Sequence, residues 1–316
     1  MVIVVIVTMA SGLDWTPAVT PPFNPGGTDR TVLQIDSSLY AVVCQDADRK
    51  MSFYKSSDGL HWIWVKYLPM PLTEYFAGCA WQGSIILCGG DTVDASGEFH
   101  PTQNVWKIET SGACRRLPKA TWKARAHSCL VPLESSNKLI LLGGRTSGTD
   151  SVYVSTDTGK TWTSTCSVPG GTLEQFGTAA FGDSVWIFGG INRNGNAVTN
   201  LVWLSTDAGD SWKSDSVPPW SPRASFGYTQ TDTSIWMFGG RDTTDLFTGY
   251  LDEVWEYRVA DGVWKQDTAA DTMFCARSWP SAAFFRNELF VCCGVKSSGG
   301  SGICLNDLYD YAVNSS

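Results

Sequence analysis

Histidine is scarce in this 316-residue sequence: His61, His100 and His127 are its only three, and they fall in unrelated places. Copper centres built on paired histidines are therefore disfavoured. Zinc sites of Cys and His at short spacing are disfavoured too, because none of the ten cysteines stands in a CxxC pair. Charge is also sparse. Asp, Glu, Lys and Arg make up 17% of the chain, and the net charge of −8 argues against nucleic acid or an anionic membrane as the main partner. No apolar run is long enough to span a bilayer as a helix, so no membrane insertion is expected. A sustained helical period is missing throughout. No cofactor and no metal are expected.

Glycine and tryptophan are abundant instead, with thirty-one and fifteen copies, and 43% of residues are hydrophobic. That combination fits tight turns alternating with large packed rings. The glycines mark a repeat. Gly-Gly doublets begin at positions 89, 143, 189 and 239, and decayed versions stand in register at Val43-Cys44 and Cys293-Gly294. Successive doublets are 46 to 54 residues apart, which signals an array of supersecondary units. Each unit reads as four short strands rich in β-branched and aromatic residues, bounded by Gly, Asp, Ser and Thr. The third strand carries an aromatic at one fixed place: Phe53, Trp106, Tyr153, Trp203, Trp255 and Tyr309. Nine residues on comes a fourth-strand Trp at 62, 162, 212 and 264. The turns before it repeat as S-S-D-G-L-H-W, S-T-D-T-G-K-T-W and S-T-D-A-G-D-S-W, ending at Trp62, Trp162 and Trp212.

The sixth unit ends before its fourth strand. The opening stretch Ser11-Gly12-Leu13-Asp14-Trp15-Thr16-Pro17 looks like a spare copy of it. The fold expected is all-β: a six-bladed β-propeller with four antiparallel strands per blade, closed by an N-terminal strand (residues 12–19) that completes the last blade. Residues 1–10 resemble the apolar core of a secretory signal, with a cut expected after Ala10, leaving 11–316 as a single domain. A buried N-terminal strand in a cytosolic protein is the competing reading. With the Asn314-Ser315-Ser316 glycosylation triplet, this leads to the expectation of an extracellular, secreted protein whose cysteines are largely disulfide-paired.

A Gly doublet ending the second strand, an aromatic in the third and a Trp in the fourth resemble the kelch motif, over about residues 12–316. The S-x-D-x-G-x-[TS]-W turns resemble the Asp box of sialidases. In those families the boxes lie at the rim, so here they are expected to be structural, the Asp accepting hydrogen bonds from the turn's N–H groups. In a kelch-like ring one face is built by the loop entering the first strand and the loop leaving the second. The entry positions are Arg30, Tyr75, Arg125, Gln175, Arg223 and Arg277; just past the doublets stand Gln45, Asp91, Arg145, Ile191, Arg241 and Val295.

The resemblance implies that Arg30, Arg125, Arg145, Arg223, Arg241 and Arg277 contact a ligand, as rigid forks suited to carboxylate, sulfate or phosphate. Tyr75, Phe76, Gln175, Trp122, Trp220, Phe247 and Trp279 would accompany them as platforms and polar contacts. The bland reading pairs each Arg with a nearby acid such as Asp46, Asp91, Glu174 or Asp242, where it only fixes a loop. Function is then expected to be non-catalytic: a binding propeller whose Arg-rich mouth recognises an anionic glycan or an acidic protein segment. A carbohydrate-active enzyme on an acidic sugar, similar to a sialidase or to the bacterial kelch-type epimerase of sialic acid, is the first alternative. Glu74, Asp91, Glu174 and Asp242 could supply its carboxylates, although no F/Y-R-I-P segment is present. A structural interaction scaffold is the second.

Overall fold

The computed structural model describes residues 16–17, 30–45, 49–145, 151–215, 217–245, 248–268, 274–298, 301–305 and 307–312. The signal-like residues 1–10, residues 12–15 and 18–19 of the closing strand, Asp46, Phe247 and the Asn314 triplet lie outside them. Among the described residues there is no helix.

Among the described residues the repeat forms six four-stranded antiparallel sheets. The fifth shows the plan: Gly227–Gln230, Ser234–Phe238, Val254–Arg258 and Val263–Gln266 pair in chain order. The innermost strands are Arg30–Ile35, Ala77–Trp81, Cys129–Leu133, Gly177–Phe181, Gly227–Gln230 and Ser281–Phe285. Each lies against the next, and Ser281–Phe285 also lies against Arg30–Ile35. In the sixth sheet the outermost place is taken by Thr16–Pro17, which pairs with Leu308–Ala312 through Thr16 opposite Asp310 and Pro17 opposite Tyr309.

The pleat explains the fixed aromatics. Trp106, Tyr153, Trp203, Trp255 and Tyr309 all stand opposite the second-strand residue two places before the doublet, and so share the face that packs against the preceding sheet. In the first sheet Tyr54, opposite Ala41, holds that place, and Phe53, opposite Val42, packs into the layer on the other face instead. The core is divided accordingly into six apolar layers, one between each pair of neighbouring sheets. Two of the fourth-strand tryptophans differ slightly from expectation. Trp162 and Trp212 close the turn just before Thr163–Ser167 and Lys213–Ser214, because their rings are drawn into the interlayer contacts there.

The doublets staple neighbouring sheets. The N–H of Gly90 donates to Arg125 O at 2.8 Å, that of Gly190 to Arg223 O at 2.8 Å and that of Gly240 to Arg277 O at 2.9 Å. Each acceptor belongs to the following sheet. At Gly239, φ is +60° and an added Cβ would stand 2.6 Å from Arg277 O, so only glycine fits this approach.

In the turns S-x-D-x-G the Asp side chain ties the loop as the sequence implies. Asp58 Oδ1 accepts the N–H of Leu60 and His61 at 2.9 and 2.7 Å, and Asp157 Oδ1 those of Lys160 and Thr161 at 3.1 and 2.9 Å. Asp207 Oδ1 accepts that of Ser211 at 2.9 Å. Burial alone would raise the Asp58 carboxyl, but the hydrogen bonds from His61, Leu60 and Ser56 outweigh it and bring it down to about 2.

Disulfide pairing gains no support. Cys79, Cys88, Cys114, Cys129, Cys166 and Cys275 stand as thiols, and Cys79, Cys88 and Cys129 are buried among apolar side chains. Burial pushes the thiols of Cys114 and Cys129 up to about 11, which suits packing residues rather than redox partners.

Candidate functional site

The two loops expected to share one face do meet. The residue just past each doublet pairs with a residue of the entry loop: Asp91 with Glu74, Arg145 with Ala126, Ile191 with Glu174, Arg241 with Ala224 and Val295 with Ser278. The next residue in each entry segment is Tyr75, His127, Gln175, Ser225 or Trp279. All five hold left-handed backbone angles, with φ from 52° to 57°. Non-glycine residues adopt that region at a cost, and here the cost is met by a continuous chain of bonds. His127 N donates to Tyr75 O, Gln175 N to His127 O, Ser225 N to Gln175 O and Trp279 N to Ser225 O, at 2.8, 3.4, 3.1 and 2.6 Å. Five sheets thus present one residue each around a shared centre.

Three guanidinium groups and three carboxylates surround that centre. Arg145 Nη2 donates to Asp91 Oδ2 at 2.5 Å, and Arg193 Nη2 to Glu174 Oε1. Arg241 Nη2 donates to Gln175 Oε1 at 2.7 Å, its Nε to Ser225 Oγ at 3.3 Å, and its Nη1 to the carbonyls of Thr243 and Asp245. Its guanidinium carbon stands 5.3 Å from the Trp279 ring centroid. The carboxylates lie underneath: Asp91 and Glu174 are fully buried and Glu74 nearly so. Among the described residues, Asp91 Oδ1 and Glu174 Oε2 have no hydrogen-bond partner. Burial raises the Asp91 carboxyl, with Arg145 opposing the rise. The side chains of Arg145 and Arg193 are 46% and 39% exposed, and Arg193 Nη1 also donates to Asn196 Oδ1 at 3.1 Å.

His127 registers this field. Burial, with the charges of Arg145, Arg193 and Arg241, holds its imidazole well below its ordinary value and hence neutral. Its ring lies 4.1 Å from that of Tyr75, which in turn neighbours Phe99 at 6.1 Å. Phe99 belongs to a hairpin, Asp91–Val93 with Phe99–Pro101, standing beside the same face. Further in, cavities of about 230 and 290 Å³ run between the innermost strands, with Cys129 Sγ 3.5 Å from Tyr228 Oη. Among the described residues no group of His, Cys, Asp and Glu is arranged to hold a metal ion.

Half of the expected ligand contacts are elsewhere. Arg125, Arg223 and Arg277 stand two residues before the axial positions, and their side chains turn back between sheets, fully buried. Each donates through Nη1 to the carbonyl of the first doublet residue in its own sheet: Gly143 at 2.8 Å, Gly239 at 3.3 Å and Cys293 at 2.9 Å. Arg277 also forks onto Asp307 at 2.6 and 2.9 Å, and Arg223 pairs with Glu253. Trp122 and Trp220 are buried as well, beside Arg125 and Arg223 and edge-on to Trp162 and Trp264. A ligand role for these five is corrected to that of a brace: with no accessible surface they cannot reach a solute. Of Arg30 only the backbone is described, at the start of its strand. Tyr75, Gln175, Arg145, Arg241 and Trp279 do gather at the centre.

The sequence reading missed Arg193 and His127. Arg193 lies two residues past the register position occupied by Ile191, where a longer loop carries the charge. His127, which in sequence has no evident relation to the other two histidines, occupies the register of Tyr75 and Gln175.

Sheet plan, doublets and axial register converge on one family. A model of the KLHDC2/KLHL20/DRC7 kelch-repeats domain matches residues 75–294. This chain belongs to the kelch-repeat family. No curated protein matches it. Among solved structures this kelch-repeat chain is similar to that of YjhT, with a TM-score of 0.72 over 94% of this chain and 98% of that one. The two are 13% identical, so the likeness concerns the fold.

Proposed function

We propose that this kelch-repeat protein is a six-bladed ring that works as a non-catalytic interaction propeller, taking an anionic ligand at its axial mouth. Thr16–Pro17, with flanking residues from 12 to 19, would complete the sixth blade and tie the ends of the chain together. Removal of residues 1–20 would then lower the melting temperature by several degrees, as expected when one blade edge is opened.

The observation that carries the binding reading is the layering of charge: buried carboxylates beneath, half-exposed guanidinium groups above. Asp91 and Glu174 each hold one nitrogen of an arginine, Asn196 holds a second of Arg193, and both guanidinium groups stay about half exposed. A ligand carboxylate or sulfate would meet pre-oriented forks, with Tyr75 and Trp279 as flat neighbours. Such donors suit an acidic protein segment, or an anionic glycan whose ring could lie on the aromatics.

Calorimetric titration with hexaglutamate and with sialyllactose tests the reading. Binding of either should weaken steadily as salt rises, because the mouth is half exposed. Absence of binding at low salt, or affinity indifferent to salt, would sink the proposal.

A further inference from the structure

The outermost strands are short and mostly polar in five sheets: Cys114–Arg116, Thr163–Ser167, Lys213–Ser214, Val263–Gln266 and Thr16–Pro17. The first sheet departs from this. Its outermost strand, Trp62–Leu68, runs seven residues with the sequence W-I-W-V-K-Y-L. It pairs on its inner side with Lys50–Ser56, and among the described residues no strand pairs with its outer edge. Ile63 is 70% exposed, Trp64 49% and Tyr67 37%. Sheet proteins ordinarily blunt such edges with short strands or charges, since an open apolar edge invites another chain.

Cations gather beside this edge. Lys66 is exposed within the strand, and Lys50 sits 4.5 Å over the Tyr67 ring. The turn at Gly112 of the second sheet is packed on Lys66: a Cβ added there would stand 2.6 Å from Lys66 Cδ. That contact brings the exposed Arg116 alongside, because it stands opposite Trp106, which packs into the layer shared with the first sheet. In a chain of net charge −8, a local excess of positive charge around three exposed apolar side chains is a chemical preference, not a general surface property.

We infer that the outer edge of the first sheet is a docking site for an acidic, extended segment of a partner protein, which adds to Trp62–Leu68 as a fifth strand. Backbone groups of the open edge supply the ladder. On one face the segment's apolar side chains pack on Trp64 and Tyr67, whose rings touch; on the other its acids reach Lys66 and Arg116, beside Ile63. This surface is separate from the axial mouth and does not depend on the ligand proposed there.

The test uses the full chain and a labelled peptide of alternating Val and Glu, followed by fluorescence anisotropy. Binding should fall about tenfold or more in Trp64→Thr, which keeps a strand-forming residue, and in Lys66→Glu, with unfolding midpoints unchanged. The same peptide N-methylated at alternate residues should lose binding, because its ladder donors are blocked. These comparisons are made in an Arg145→Ala, Arg193→Ala background, where the axial mouth no longer competes for the acidic peptide and the effects of Trp64→Thr and Lys66→Glu should persist. No peptide binding in that background, or equal binding of the N-methylated peptide, would overturn the inference. Two other occupants would replace it if found in the peptide's stead: vesicles of phosphatidylserine retained by the wild type and released by Trp64→Thr, or self-association abolished by that variant.

Discussion

Two arginines that look alike in sequence have opposite duties in this protein. Arg277 is enclosed by Asp307, the Cys293 carbonyl and the rings of Phe274 and Tyr309, and its charge is satisfied inside the protein. Arg145 sits on a buried carboxylate and stays about half exposed. Arg277→Ala strands the Asp307 carboxylate and the Cys293 carbonyl, so a loss of about 3 kcal/mol in urea unfolding is expected; a change within the error of the method would contradict the bracing role. His127 offers a second test. Its folded value lies below the ordinary 6.5, so the unfolded chain takes up the proton first as pH falls. The stability it supports is complete above that value and declines below it. His127→Gln should flatten the fall in stability between about pH 7 and 5, read from urea midpoints at each pH. What could be read in advance at this scale was residue type, and what could not was direction. Arg125 and Gln175 look equivalent as entry positions, yet two places of register send one between sheets and the other to the axis. Glu253 and Asp307, both two places before a third-strand aromatic, were the signal that buried partners awaited Arg223 and Arg277.

At the scale of elements, the doublets and the S-x-D-x-G turns were legible because their physics is local. A left-handed glycine and an Asp that accepts the N–H groups of its own loop need no knowledge of the rest of the chain. The pleat then fixes which side each third-strand aromatic occupies. The axial ring was not legible, since Tyr75, His127, Gln175, Ser225 and Trp279 have no chemistry in common. Only their backbone angles and the bonds between sheets make them a set. The turns carry their own pH signature. Hydrogen bonds from Ser211, joined by one from Ser205, bring the Asp207 carboxyl down to about 2, as His61 and its neighbours do for Asp58. Carboxyls lowered from 3.8 stabilise the fold above that value and lose the contribution as pH falls toward 2. The double substitution Asp58→Asn and Asp207→Asn should therefore weaken the dependence of the melting temperature on pH between about 4 and 2. Parallel curves for variant and wild type would show that the turns are held by other means.

For the whole molecule, the spacing of the doublets pointed to an all-β array of four-stranded units, and Thr16–Pro17 pairs with Leu308–Ala312. Ligand chemistry was less legible because net charge averages over surfaces that differ. The chain is acidic overall, while both proposed binding surfaces, the axial mouth and the outer edge of the first sheet, depend on local arginine and lysine side chains. The most direct measurement is titration of hexaglutamate and sialyllactose against the double variant Arg145→Ala, Arg193→Ala, with melting temperatures recorded alongside. The account predicts that affinity for whichever probe the wild type binds falls at least about tenfold, while the melting temperature moves little because both side chains are half exposed. Binding retained at wild-type strength would contradict it.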